Sequence, residues 1–226
     1  MSQLPRLLIS DPDEARQSWM RGVLEPAGWH VDRAGRLRDA DARMMLRHCA
    51  LLLVNIDDEA HGGLADVAAL RREAAPGGSV PVLGIAAEPM PEARVHAEGL
   101  DGLVVFPCAG AELVAAAEMW RLQEAVNPRE RLAAVLPAPA LDAMFARLRA
   151  EIADAVHELD RGDVDRDRAH RLAGLAGTLG FTAVHKAWAA LSDGDEADPA
   201  RARIVARLAI VVLDRDAAAA ANRPSA

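Results

Sequence analysis

Apolar residues follow two different rhythms along this chain. In the first half, short continuous runs alternate with longer segments in which apolar positions recur every three or four residues. The runs are Leu7-Leu8-Ile9, Trp29-His30-Val31, Leu51-Leu52-Leu53-Val54, Val80 to Ile85, and Gly102 to Phe106. Their length and β-branched content predict five strands. The intervening amphipathic segments, Glu14–Ala27, Asp39–Arg47, Leu64–Ala74, Pro91–Ala97 and Ala111–Leu122, have helical spacing. Strict alternation of strand and helix predicts a parallel sheet covered on both faces. The uninterrupted Leu51–Val54 run suits a strand buried on both sides.

After a segment carrying Pro128, Pro137 and Pro139, the strand signals stop. Leu141, Phe145, Leu148, Ile152, Val156 and Leu159 repeat at intervals of three and four, which predicts a helix over Leu141–Arg161. Gly162-Asp163 breaks it, and Asp163 or Asp165 can cap the next helix. Phe181–Leu191 reads as a third helix, and Pro199 opens a fourth containing Ile204, Leu208, Val211 and Val212. Four helices with short turns make a bundle. The expected fold class is therefore α/β followed by all-α. A first domain would cover 1–122, a linker 123–139 that includes a helix extension, the bundle 140–221 and a frayed tail 222–226, with fraying expected from Ala217 onward.

Within the second bundle helix one histidine stands out. At about 100° per residue, Ala173, Gly174 and Gly177 lie within roughly 60° of His170, while Leu172, Leu175, Ala176 and Leu179 point away as a core stripe. A glycine inside a helix costs on the order of 1 kcal/mol relative to alanine, so something must offset that, and an imidazole kept open to a large docking partner is a good candidate. A lone histidine on a helix is more often a solvated or packing residue, and small residues often serve close helix packing. The flanking helices tip the balance toward an imidazole left open for a large partner.

Composition narrows the classes. The chain has 226 residues, 51% apolar, and a formal net charge of -8. The acidic balance argues against nucleic acid, whose binding requires phosphate neutralisation. No run of 18 or more apolar residues could span a membrane, and Met1 to Arg6 lacks the layout of a signal peptide. Cys49 and Cys108 have neither disulfide nor metal spacing, so a reduced, cytoplasmic protein is expected. Trp19, Trp29 and Trp120 read as core rather than as interface anchors. His30, His48, His61, His96, His157 and His185 show no zinc-type pairing. No metal site of the chain's own is expected, and no glycine-rich phosphate loop is present.

Ala169-His170-Arg171-Leu172-Ala173-Gly174, with Gly180 downstream, resembles the signature of histidine-containing phosphotransfer (HPt) domains. Alanine replaces the usual lysine at Ala173. The resemblance implies that His170 accepts a phosphoryl group from a receiver-domain aspartate and passes it to another receiver. Arg166, Ala173, Gly174 and Gly177 would form the docking face, and Arg166 and Arg171 would help orient the phosphoryl group. The partner receiver, from a response regulator or hybrid histidine kinase, would supply Mg²⁺ and the lysine. An imidazole with an unperturbed pKa near 6.5 is largely neutral and nucleophilic at neutral pH. No nucleotide-binding region of the kinase type is visible, so autophosphorylation from ATP is not expected.

The five strands of the first half, with Pro81 before the fourth and Phe106-Pro107 closing the fifth, resemble the flavodoxin-like receiver domain of response regulators. Active members hold Mg²⁺ with acidic residues, accept phosphate on a carboxylate, and answer its charge with a hydroxyl and a lysine. Here the acidic positions fall on Asp11 and Pro12, the acceptor on Asn55, the hydroxyl on Ala86 and the lysine on Phe106. Asn55 cannot form an acyl phosphate, and Pro12 has no side-chain ligand to offer a hard cation. The resemblance implies a degenerate receiver, a pseudo-receiver. A phosphorylation-independent scaffold or kinase regulator is the rival expectation for the whole chain. Oligomeric state, the kinase and the downstream regulator are not readable from the sequence.

Overall fold

Strand β1 (Arg6–Ser10) lies at the centre of its sheet, paired in parallel with β2 (His30–Ala34) on one side and β3 (Leu51–Asn55) on the other. β4 (Val82–Ala86) and β5 (Gly102–Val105) extend the sheet, giving the order β2-β1-β3-β4-β5, all parallel. This arrangement comes from a computed structural model that describes residues 4–46, 48–58, 60, 62–73, 80–121, 128–163, 165–194 and 198–221. Two compact units are present, Met1–Leu122 and Gln123–Ala226.

Between the strands run α1 (Glu14–Leu24), α2 (Ala40–Leu46), α3 (Gly63–Arg71) and α4 (Glu92–Ala97), with α5 (Gly110–Glu118) after the sheet. Every residue of β3 and β4 is buried, as expected for strands covered on both faces. One core cluster joins Leu8, Leu52, Val54, Val67, Leu70, Val82 and Leu100. Trp29 and Trp120 are buried in the core, as expected, whereas Trp19 is 37% exposed.

The second unit is helical: a short α6 (Pro128–Ala133), then α7 (Ala138–Asp160), α8 (Arg166–Leu179), α9 (Thr182–Asp193) and α10 (Pro199–Ala221). The long helices close a ring, α7 against α8 and α10, and α9 against α8 and α10. Leu148, Ile152, Leu172, Leu179, Trp188 and Ile210 fill its centre. Alanines 169, 173 and 176 on α8 and 202, 206 and 209 on α10 are buried with them, and their small side chains let helix axes approach.

Two boundaries differ from the expectation. The helix within the linker is α6, and α7 begins at Ala138, where Pro139 fits the first turn because its missing N–H has no intrahelical partner there. The alanine run continues α10 through Ala221 instead of fraying at Ala217, in keeping with the highest helix propensity of any residue. Residues 123–127, the tail 222–226, His61, and the expected helix ends at Arg47, Ala74 and Leu122 lie outside the described residues. Among the described residues, no helix is long and apolar enough to cross a membrane.

Candidate functional site

α8 starts with Asp165 as its N-cap, whose carboxylate accepts from the backbone N–H groups of Asp167 and Arg168. One turn in, the Arg168 guanidinium pairs with Glu158 and with Asp154 on α7, fixing the rotation of α8. The helix ends at Gly180, in the left-handed region at φ 88°. The Phe181 N–H bonds the Ala176 carbonyl and the Gly180 N–H bonds that of Gly177. These two bonds form a Schellman motif, which requires a residue without a Cβ penalty at Gly180. The downstream glycine of the motif thus has a structural reason of its own: it turns the chain directly into α9.

That frame sets which side chains face water. Ala169, Leu172, Ala173, Ala176 and Leu179 are buried; His170, Arg171, Gly174, Gly177 and Thr178 are exposed. His170 projects from the bundle with no hydrogen bond or ion pair to another described residue. A Cβ built on Gly174 would meet nothing within 4 Å. The expected docking residues do not behave alike, however. Ala173 is 3% exposed and belongs to the core, so it cannot form part of an open face. A Cβ on Gly177 would stand 3.0 Å from Nδ1 and 3.2 Å from Cγ of His185 on α9. The Gly177 gap is therefore filled by an imidazole of the same bundle. Arg166 lays its guanidinium against Gly194, at the C-terminal end of α9, where a cation suits the exposed carbonyls. Leu175, placed on the core stripe by its spacing, is half-buried.

His185 is the residue that sequence reasoning passed over here. Its Nδ1 lies 2.9 Å from the Ala173 carbonyl oxygen. A carbonyl can only accept, so Nδ1 is the donor in this contact. The signal in the sequence was weak, because the pairing depends on the α8–α9 turn.

The second candidate place is in the α/β unit. The strand order reverses direction between β1 and β3, and the carboxyl ends of those strands are where this topology opens a crevice. Asp11 and Pro12 follow β1, Asn55 and Ala86 end β3 and β4, and Phe106 follows β5, so all five stand at the carboxyl ends of strands. Asp11, directly after β1, is fully buried. Its Oδ1 accepts from the Asp13 N–H at 2.8 Å, from Arg16 Nη2 at 2.9 Å and from Asn55 Nδ2 at 3.4 Å; its Oδ2 accepts from Arg16 Nε at 2.5 Å. Asn55 Oδ1 accepts from the Asp57 N–H at 2.9 Å, and Asp57 Oδ2 from the Ala87 N–H at 2.6 Å. Asp13 caps α1 through the N–H groups of Ala15 and Arg16. The Arg16 N–H bond, followed by that of Ala15 and the Arg16 charge, holds the Asp13 carboxyl below its ordinary value against the opposing effect of burial.

Arg16 spans this corner. Beyond Asp11, its guanidinium lies over the Phe106 ring, 5.6 Å from the centroid, and Trp19 meets that ring edge-on at 5.3 Å. The hydrogen bond to Asp11, helped by the charges of Asp11, Asp13 and Asp57, raises the Arg16 pKa further above its usual value. Arg16 was not among the expected site residues, although one signal was available. A cation in the first turn of a helix opposes the macrodipole, so it needs an anion close by. Among the described residues, no three His, Cys, Asp or Glu side chains are grouped to hold a metal ion.

No family model matches the chain, and no curated protein matches it. Among solved structures, it is similar to chemotaxis protein CheY4 of Vibrio cholerae (21% identity, TM-score 0.47), over 52% of this chain and 99% of that one. It is also similar to a putative response regulator from Chloroflexus aurantiacus (21%, TM-score 0.46), over 52% and 97% of the two chains. The signal receiver domain of a signal transduction histidine kinase from Syntrophus aciditrophicus is 17% identical, with TM-score 0.45, over 54% and 97%. These likenesses reach about half of the chain.

Proposed function

We propose that this protein is a phosphorelay intermediate in which His170 takes a phosphoryl group from the aspartyl phosphate of a receiver domain and hands it to another. The observation that carries the reading is the environment of His170. It is an exposed imidazole on a capped helix, on the same face as a glycine with open space above it, and no described neighbour engages it. In the transfer, the imidazole lone pair attacks phosphorus; an N–P bond forms as the acyl P–O bond breaks, and the donor aspartate leaves as a carboxylate. The reverse sequence passes the group onward. Phosphoryl transfer depends mainly on positioning and charge neutralisation, and the partner receiver would provide Mg²⁺ and a lysine. Arg171, exposed beside His170, is the nearest cation in sequence to take part of the role left empty at Ala173. The reading places the protein in the cytoplasm with its receiver partners, which belong to response regulators and hybrid kinases. The α/β unit would act as a pseudo-receiver, since Asn55 offers no acceptor.

The test is transfer from a radiolabelled, acyl-phosphorylated receiver domain to the full chain. Label that survives base and is lost in acid, and that is absent from His170→Gln, supports the proposal. Equal labelling of His170→Gln overturns it. A receiver that binds both proteins equally and labels neither would favour the phosphorylation-independent scaffold.

A further inference from the structure

We propose that Arg16 is the resident cation of the Asp11 corner, a guanidinium built into the chain in place of the divalent metal and the lysine that a receiver fold would otherwise recruit there. The donor set does not fit a metal ion. Asp11 is fully buried, its Oδ1 already accepts from the Asp13 N–H, Arg16 Nη2 and Asn55 Nδ2, and its Oδ2 faces Arg16 Nε, so the guanidinium fork occupies both oxygens. The two neighbouring carboxylates are also committed, Asp13 to the first turn of α1 and Asp57 to the Ala87 N–H. A hard cation would have to displace Arg16 to reach Asp11, and it would find Pro12 and the amide of Asn55 as the remaining neighbours.

The same side chain reaches the other lost position. Its planar group rests on Phe106, where the resemblance would put a lysine, and the ring face favours a cation there. The bidentate fork to Asp11 also holds the guanidinium in one orientation, which a lysine ammonium would not do. One arginine on the first turn of α1 therefore neutralises the acid at β1 and covers the end of β5. Asp11 thus keeps a cationic partner without phosphate or a divalent ion.

The experiment uses the full chain and Mn²⁺ as the probe, read by water-proton relaxation and by paramagnetic broadening of assigned amides. The wild type should show no broadening centred on the Asp13, Asp57 and Ala87 amides. Arg16→Gln should bind Mn²⁺ at least about tenfold more tightly, with broadening at those amides, and Asp11→Asn/Arg16→Gln should lose that gain. Should Arg16→Gln fail to fold, recovery of the fold in Asp11→Asn/Arg16→Gln would support the same charge pairing. Wild-type protein that broadens at those three amides, or an Arg16→Gln variant that folds and binds Mn²⁺ no better than wild type, overturns the proposal. His170 labelling is unaffected by either result, so the two proposals fail separately.

Discussion

In the α/β unit, Asp11 is wholly buried and four donors point at it; in the bundle, His170 stands in water with no described partner. Asp11 lies at the carboxyl ends of parallel strands, where such sheets open a crevice, and His170 lies on an exposed helix face beside Gly174. The difference is what the chain has done with each. At Asp11 it has supplied the cation itself, and the acid has become structural. At His170 it has supplied a capped helix and open space beside Gly174, which the proposed relay would use for a partner.

The largest effect that would break this contrast comes from removing the cation. Arg16→Gln leaves a buried carboxylate uncompensated and should destabilise the α/β unit by about 3 kcal/mol, the low end for a broken buried pair because Arg16 itself keeps contact with water. Asp11→Asn/Arg16→Gln should regain most of that in denaturant titration. If Arg16→Gln melts like wild type, the pair is not what holds the corner.

Glycines on α8 sharpen the other half. Gly177→Leu should leave the bundle less stable than Gly174→Leu by about 1 kcal/mol, because its Cβ, 3.0 Å from His185 Nδ1, displaces that ring and breaks its bond to the Ala173 carbonyl, which offsets the helix-propensity gain over glycine. In a His185→Ala background the penalty should shrink, a coupling that a double-mutant cycle reads directly. Gly174→Ala, with open space above it, should instead stabilise by up to about 1 kcal/mol and slow transfer only if the partner packs tightly there. Equal effects at the two positions would contradict the division into one packing glycine and one surface glycine.

A smaller effect concerns the cap of α1. A carboxyl whose pKa is lowered by folding stabilises at pH above its unfolded value, about 3.9, and loses that contribution as pH falls through the folded value. Asp13 is such a group. Asp13→Asn should therefore lose stability less steeply than wild type below about pH 4 in an acid titration. An identical slope would mean that the carboxylate charge does not strengthen the cap.

The strands were legible because a run such as Leu51–Val54 has no polar face to offer and must be buried on both sides. His170 could be placed on an exposed face by angle alone. Ala173 could not, because alanine serves equally to clear a surface and to pack one, and about 60° of rotation from His170 put it at the boundary. Gly177 misled for the same reason, its gap being occupied from α9 across a turn. Arg16 escaped notice because its partner precedes the helix, so no periodic pattern links the two. The alanines from 217 to 221 look like a tail by composition, yet they continue a helix already begun.

The account turns on where a phosphoryl group comes to rest. After transfer from a labelled receiver domain to the full-length chain, peptide mapping under non-acidic conditions should place the label on the α8 peptide containing His170. None should fall on the segment from Leu51 to Asp58, and His170→Gln should shift stability by less than roughly 0.5 kcal/mol. Label recovered on Asp57 or Asp58, with the α8 peptide unmodified, would contradict it.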